Sequence, residues 1–175
     1  MFLNKIKVFL LISICLIFFF LTYNDVKSKE LMILSGIAKV IDGDTIKINS
    51  DKIRLFGIDA PEQKQLCNKT YLTILFFTFN KDYPCGKVSS EKLKNMVNNK
   101  LIMCKIHDKD IYNRFIAECF KDKTNLNAWM VRNGYAVAYR KYSKKFVSQE
   151  DIAKKNLSGL WEGSFLMPWD WRKKN

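Results

Sequence analysis

From Ile33 to Ile58 apolar and polar residues alternate in the manner of half-buried strands, and turn residues interrupt the alternation. Ile33 to Val40, Thr45 to Asn49 and Lys52 to Ile58 form three short β-rich runs, divided by Asp42-Gly43-Asp44 and by Ser50-Asp51, which predicts two antiparallel turns. The pattern then loses regularity from Asp59 to Gly86, where Pro61, Asn68, Asn80 and Pro84 punctuate the chain. Inside that stretch Tyr71 to Phe79 is strongly apolar and suits a short helix or a strand. Helical spacing returns with Leu93, Met96 and Val97, in a helix capped by Ser89 or Ser90 and running to about Asn98. Leu101 to Ile106 and Arg114 to Phe120 read as strands four and five. A second helix starts at Asn125 and ends at Gly134, a residue suited to the left-handed position that closes helices. A third runs from Ser148 to Leu157 and is closed by Ser158-Gly159. Trp161, Trp169 and Trp171 make the tail from Leu160 to Arg172 a segment that packs back on the domain.

Five short strands, one helix inserted after the third and two more after the fifth describe an α+β domain dominated by a small, partly open β-barrel with about three helices. This order is compatible with the OB architecture, a common platform for nucleic acid. An apolar fraction of 48% over 175 residues excludes a disordered chain and suits one domain with a sizeable core.

The N-terminus follows a different rule. Lys5 and Lys7 precede an unbroken apolar run from Val8 to Leu21, and the chain turns polar from Thr22 to Glu30. That is the layout of an export signal, with cleavage after Ser28 compatible with Val26 and Ser28. Extended by neighbouring residues, the run also suits an uncleaved anchor, with membrane attachment through residues 8–23. Residues 1–28 are therefore read as a signal peptide or anchor and 29–175 as the exported domain, secreted, periplasmic or tethered outside the cytoplasm. The formal net charge of +13 points to an anionic partner, either nucleic acid or an anionic membrane surface. Lys5, Lys7 and Lys27 against Asp25 account for only a small part of it, so the excess belongs to the domain.

Export changes the reading of the cysteines. Cys67, Cys85, Cys104 and Cys119 form an even set that admits three disulfide connectivities. Placing Cys104 and Cys119 on successive strands makes them plausible partners and leaves Cys67 with Cys85; four reduced, buried thiols are the other reading. With no Cys-x-x-Cys pair and a single His, a zinc site is not expected.

Core packing does not explain the charges between Val40 and Glu62. Asp42 and Asp44 flank a glycine turn, Arg54 interrupts an apolar strand, and Asp59 and Glu62 follow at its end. A second arginine, Arg114, follows Asp110-Ile111-Tyr112-Asn113. Carboxylates at strand and turn ends offer hard oxygen ligands that suit calcium, and two guanidiniums can grip a phosphate in bidentate fashion. Alone, an arginine in a strand is more often an exposed residue or an ion-pair partner.

Asp42-Gly43-Asp44-Thr45, Ile53-Arg54-Leu55, Asp59-Ala60-Pro61-Glu62 and Asp110-x-Tyr112-Asn113-Arg114, in this order, resemble the staphylococcal nuclease (thermonuclease) family of OB-fold phosphodiesterases. Asn127-Ala128-x-x-Val131-x-x-Gly134-x-Ala136 and Gly159-Leu160-Trp161 continue the likeness. The paired cysteines and the Pro168-Trp169-x-Trp171-Arg172 tail resemble an exported bacterial branch. The resemblance implies that Asp44 and Asp59 are calcium carboxylates, with Ala60 contributing its carbonyl. It implies that Glu62 is the general base and that Arg54 and Arg114 hold the scissile phosphate. Asn113 stands where the family commonly has Gly, and Ile111 where its best-known member has a Lys near the terminal phosphate. Tyr112 is kept, to stack or hydrogen-bond near the nucleotide.

A second basic group, Arg140, Lys141, Lys144 and Lys145 with Tyr139 and Tyr142 interleaved, can follow a phosphate backbone while its rings stack on bases. Lys141 and Tyr142 are its candidate substrate contacts; a solvated loop with ordinary surface tyrosines is the alternative. His107 is read as non-catalytic. The expectation is thus a monomeric, exported, calcium-dependent endonuclease acting on DNA and RNA and leaving 3′-phosphate ends. The rival readings are a catalytically inactive OB-fold nucleic-acid-binding module and a membrane-anchored structural protein whose basic face meets lipid.

Overall fold

In the computed structural model, which describes residues 12–15 and 32–175, the chain divides into two units, residues 1–30 and 31–175. Residues 12–15 are helical and exposed; the remainder of the segment read as signal or anchor lies outside the described residues. Among the described residues no helix is long and apolar enough to cross a membrane.

The second unit opens with β1 (Ile33–Val40), β2 (Thr45–Ile48), β3 (Asp51–Leu55) and the short β4 (Ile58–Asp59). β5 (Cys67–Ile74) and β6 (Phe77–Tyr83) form a hairpin, followed by helix α1 (Cys85–Val97). β7 (Leu101–Lys109), β8 (Phe115–Lys121) and β9 (Thr124–Asn125) lead to α2 (Leu126–Arg132) and β10 (Val137–Ala138). α3 (Val147–Lys155), a 3₁₀ turn (Gly159–Glu162), β11 (Gly163–Ser164) and α4 (Pro168–Lys174) complete it.

The main sheet runs β3-β2-β1-β7-β8-β9. β3 then pairs in parallel with β8, Arg54 opposite Ile116, so the five principal strands close completely where the sequence suggested a partly open barrel. Closure removes the sheet edges that an open barrel would leave unpaired. Alternation sends Ile46, Ile48, Ile53, Leu55, Ile102 and Ala117 inward, all essentially inaccessible. Leu93 and Val97 of α1 and Leu126, Met130 and Val131 of α2 join the same core. Burying each Leu or Val contributes about 1.5–3 kcal/mol.

Polar groups fix how the helices meet the barrel. Asn125 caps α2 by accepting from the Ala128 amide at 2.9 Å. The fully buried Asn127 donates to the carbonyls of Phe56 (2.9 Å) and Ala117 (3.1 Å) and accepts from the Cys119 amide (3.0 Å). Gly134 has φ +69°, and a Cβ there would lie 1.9 Å from the Ser158 carbonyl oxygen. The chain crosses itself at that point, and only glycine fits both constraints.

Four sequence expectations shift. α1 begins at Cys85, four residues before Ser89, because Ser89 donates its hydroxyl to the Tyr135 carbonyl (2.7 Å) and caps nothing. Residues 67–83 are an ordered hairpin, with the turn at Leu75-Phe76. β8 starts at Phe115, just beyond Arg114. The tail contributes a fourth helix, α4, beyond the three expected. Cys67 is joined to Cys85 and Cys104 to Cys119, the second pair lying directly opposite in the β7–β8 register. Links closing loops of this length stabilise a fold by about 3 kcal/mol each in the chain-entropy account.

Replacing Asn127 with Ala strands two carbonyls and an amide between α2 and the barrel. We expect a loss of about 2–4 kcal/mol in urea denaturation with far-UV dichroism unchanged before the transition.

Candidate active site

The turn between β1 and β2 is built around Gly43, where a Cβ would meet Ser89 Oγ at 2.1 Å and Ala60 Cβ at 2.7 Å. The turn therefore lies close against α1 and the β4 loop. The Asp42 carboxylate accepts from the Asp44 amide at 3.0 Å. Burial, and then the neighbouring Asp44 charge, push the Asp42 carboxyl up to about 6.

Asp44 is buried, and its Oδ2 accepts from the Ala60 amide at 2.8 Å while its Oδ1 takes the Thr45 hydroxyl at 3.1 Å. Arg54 reaches both aspartates from β3. Its Nη1 pairs with Asp44 Oδ1 and its Nη2 with Asp59 Oδ1 at 2.8 Å. One guanidinium thus spans two buried carboxylates that would otherwise repel. Burial alone would lower the Arg54 proton affinity, but Asp44 and Asp59 raise it above the ordinary value.

Asp59 is completely buried and carries a second guanidinium, Arg172 of α4, whose Nη2 lies 2.8 Å from Oδ2 and Nη1 3.2 Å from Oδ1. Arg172 Nη1 also donates to Glu62 Oε1 at 2.7 Å. Burial pushes the Asp59 carboxyl above the usual carboxylate range, against the pull of Arg172 and Arg54. Two contacts bring α4 here. Trp169 stacks on Tyr139 with centroids 5.3 Å apart and rings within 5° of parallel, and the buried Gln65 donates to the Leu166 carbonyl at 2.7 Å.

Arg114 stands at the end of the β7–β8 loop. Asp110 Oδ1 accepts from the amides of Tyr112 and Arg114, both at 2.9 Å, and its Oδ2 holds Arg114 Nε at 2.8 Å and Nη2 at 2.7 Å. Asn113 adopts φ 64°, the left-handed conformation that Asn tolerates better than other side chains. Burial would raise the Asp110 carboxyl, but the hydrogen bonds from Arg114 hold it below its ordinary value.

These groups share one cleft of about 860 Å³, lined by Asp42, Asp44, Arg54, Glu62, Arg114 and Arg172. Ala60, His107, Tyr112, Tyr139 and Tyr142 also contribute to its walls, whereas Asp59 is buried beneath. Lys141 is not part of the lining and lies over the Tyr142 ring at 5.7 Å. The other basic residues of that loop divide in two. Arg140 is bound to Glu150 (2.5 Å) and Lys145 to Glu118 (2.6 Å), so of this loop's four basic residues Lys141 and Lys144 have no ion pair among the described residues. His107 pairs with Glu118 at 3.1 Å.

A family model described as staphylococcal nuclease homologue matches residues 52–163. The chain belongs to the staphylococcal nuclease family. The match includes Arg54, Asp59, Glu62 and Arg114; Asp44 lies before it and Arg172 beyond it. Among similar proteins, a succinoglycan biosynthesis protein of Rhizobium meliloti (strain 1021) is 34% identical, over 72% of this chain and 63% of its own length. A protein of Escherichia coli O157:H7 named as an uncharacterized endonuclease is 31% identical, over 79% of this chain and 84% of its own. A probable staphylococcal-like nuclease of Oryza sativa subsp. japonica is 28% identical, over 74% of this chain and 30% of its own. The family and fold make this chain a nuclease-type hydrolase with an OB barrel.

Sequence reasoning placed Asp44, Arg54, Asp59, Ala60, Glu62, Tyr112 and Arg114 at one site, and they converge around one cleft. It gave no role to Arg172 or to Asp110 as the holder of Arg114. The Asp110 signal was local, an Asp four residues before an Arg across a turn. Arg172 lies 110 residues from Glu62, where no spacing rule reaches.

The loop carrying Tyr139 and Tyr142 is pinned by Glu150. Burial would raise this carboxyl, but hydrogen bonds from Arg140, Lys154 and the Ala138 amide hold it below the ordinary 4.5. Its contribution is therefore complete above that value and lost as pH falls through the lower folded value. We expect Glu150→Gln to cost roughly 1–3 kcal/mol at neutral pH in denaturant titrations. The difference from the parent should shrink in acid, well below pH 4.5.

Proposed function

We propose that the protein is an exported, calcium-dependent endonuclease that hydrolyses phosphodiester bonds of DNA and RNA and leaves 3′-phosphate ends. The observation that carries this reading is the Arg54 guanidinium spanning Asp44 and Asp59 at the base of a cleft whose walls present Glu62 and Arg114. Export or anchoring is supported by the basic, then apolar, then polar order of residues 1–28.

The donor set fits a hard cation. Asp44 and Asp59, both engaged by the Arg54 guanidinium, offer carboxylate oxygens of the kind a hard cation takes. Asp44, Asp59 and the Ala60 carbonyl would hold calcium, which when bound supplies positive charge against the phosphate oxygens. The chain's own groups account for the rest of the chemistry. Glu62, 37% exposed at the mouth of the cleft, accepts a proton from the attacking water. Asp110 engages the Nε and Nη2 edge of Arg114 and so fixes the guanidinium in the cleft wall, with Nη1 outside that pair. Arg54 and Arg114 then meet the charge that develops on phosphorus as the bond to the 5′ oxygen breaks. Tyr112 and Tyr142, both exposed on the cleft wall, offer faces for bases.

With calcium the protein should cleave single-stranded DNA and RNA and release 3′-phosphate termini, and EDTA should abolish cleavage. Intact substrates, or cleavage that survives EDTA, would refute the assignment. Arg54→Lys keeps the charge but cannot bridge two carboxylates, and turnover should fall roughly 100-fold or more. Arg172 competes for the Asp59 carboxylate, and its side chain is 37% exposed. Discounted for solvent screening of the exposed guanidinium, its hold on Asp59 is worth about 1 kcal/mol, so Arg172→Gln should bind calcium about fivefold more tightly in calorimetric titration.

A further inference from the structure

None of residues 67–83 lines the cleft, yet the β5–β6 hairpin carries the most conspicuous apolar surface among the described residues. Phe76 is 97% exposed and Leu75 85%, and Tyr71, Leu72, Ile74, Phe77 and Phe79 are exposed around them. β11 pairs only at Lys69 and Asn68, so beyond that point the hairpin stands as two strands alone. Two isolated strands are marginal in water.

We propose that the tip of this hairpin inserts into the interface of an anionic lipid bilayer. Residues 70–80 carry no charge, and side chains on both faces of the ribbon are exposed, Leu72 and Ile74 alternating with Tyr71 and Thr73. A protein groove covers one face; an apolar medium surrounds both. Cations outnumber anions at the base of the ribbon: Lys69 and Lys81 lie opposite each other in register and Lys64 and Lys87 are exposed nearby in sequence, against Asp82 and Glu162, the latter 3.8 Å from Lys69. That order, apolar tip and basic collar, matches acyl chains beneath anionic headgroups. The domain also begins a short polar segment, Thr22 to Glu30, after the apolar run Val8 to Leu21, which either reading brings to a membrane during export.

Depth is limited by the backbone. Both edges of the ribbon are unpaired beyond residue 70. Hydrocarbon does not tolerate open edges, so insertion stops at the headgroup and acyl boundary, about 5–10 Å deep. Five residues of strand beyond the last β11 pair reach about 17 Å, enough for that depth with the collar still in the headgroups. Nucleic acid is a poorer occupant, because Leu72, Ile74 and Leu75 cannot stack on bases and no cation lies between residues 70 and 80 to meet phosphate.

The test uses the full chain with Cys15→Ser and a polarity-sensitive fluorophore attached through Phe76→Cys. A control carries the label through Lys123→Cys in the exposed β8–β9 turn. With vesicles of phosphatidylglycerol and phosphatidylethanolamine, emission at position 76 should shift to the blue and be quenched by spin-labelled lipid. Position 123 should do neither. Leu75→Asp with Phe77→Asp should weaken the shift roughly tenfold or more as lipid is titrated. No shift at position 76 would overturn the proposal. So would a shift that grows with protein concentration without lipid, which indicates a second copy, or one produced by single-stranded DNA in place of vesicles.

Discussion

The site depends on one guanidinium. Arg54 lies on β3 between two carboxylates with almost no access to water, Asp44 on one side and Asp59 on the other. Neither aspartate stays ionised there without a partner, since an isolated buried carboxylate costs several kcal/mol, a large share of a fold's stability margin. With Arg54 between them, the β1–β2 turn and β4 are held at one distance, and the cleft takes its shape from that distance. The barrel serves this contact by its closure. Arg54 is opposite Thr45 on one side and Ile116 on the other, so its backbone is gripped by two strands before its side chain chooses a partner.

Part of the basic complement is engaged inside the molecule, and the net charge is untouched because every pair takes up a carboxylate as well as a cation. Arg140 and Lys154 meet Glu150, Lys145 and His107 meet Glu118, Arg114 meets Asp110, and Arg172 meets Asp59 and Glu62. These pairs set loops and helix ends in position. The unpaired lysines spread over the surface supply the field that draws a polyanion toward the cleft, and that field weakens with salt.

β3 and β7 were legible because each alternates a wetter with a drier face, and the Asp42 to Asp44 turn because glycine between two aspartates has few other uses. Arg54 falls where the alternation of β3 places a polar residue, two after Lys52, and was legible only through the carboxylates around it and the second arginine, Arg114. The hairpin at 67–83 was not, because exposure on both faces erases the alternation that reports a strand. The start of α1 was misplaced because Ser89 resembles a cap in sequence, while its hydroxyl is engaged 46 residues away at Tyr135. Arg172 was beyond reach because its position comes from Trp169 on Tyr139 and Gln65 on Leu166, contacts between distant segments that no local pattern encodes.

The link between Cys67 and Cys85 ties the root of the hairpin to the first turn of α1. The next residue, Gly86, is seated so closely on the Glu62 carbonyl that a Cβ would come within 1.7 Å of it, and Ser89 one turn later backs Gly43. Mechanically this makes a lever with a short arm. A pull on the ribbon does not end at the two residue pairs of β11; it passes through a covalent bond into the helix that supports both the Glu62 loop and the aspartate turn. Reduction of that bond would uncouple the ribbon from the helix and leave it hinged on β11, so the oxidation state of the surroundings sets how firmly the outer arm and the cleft move as one body.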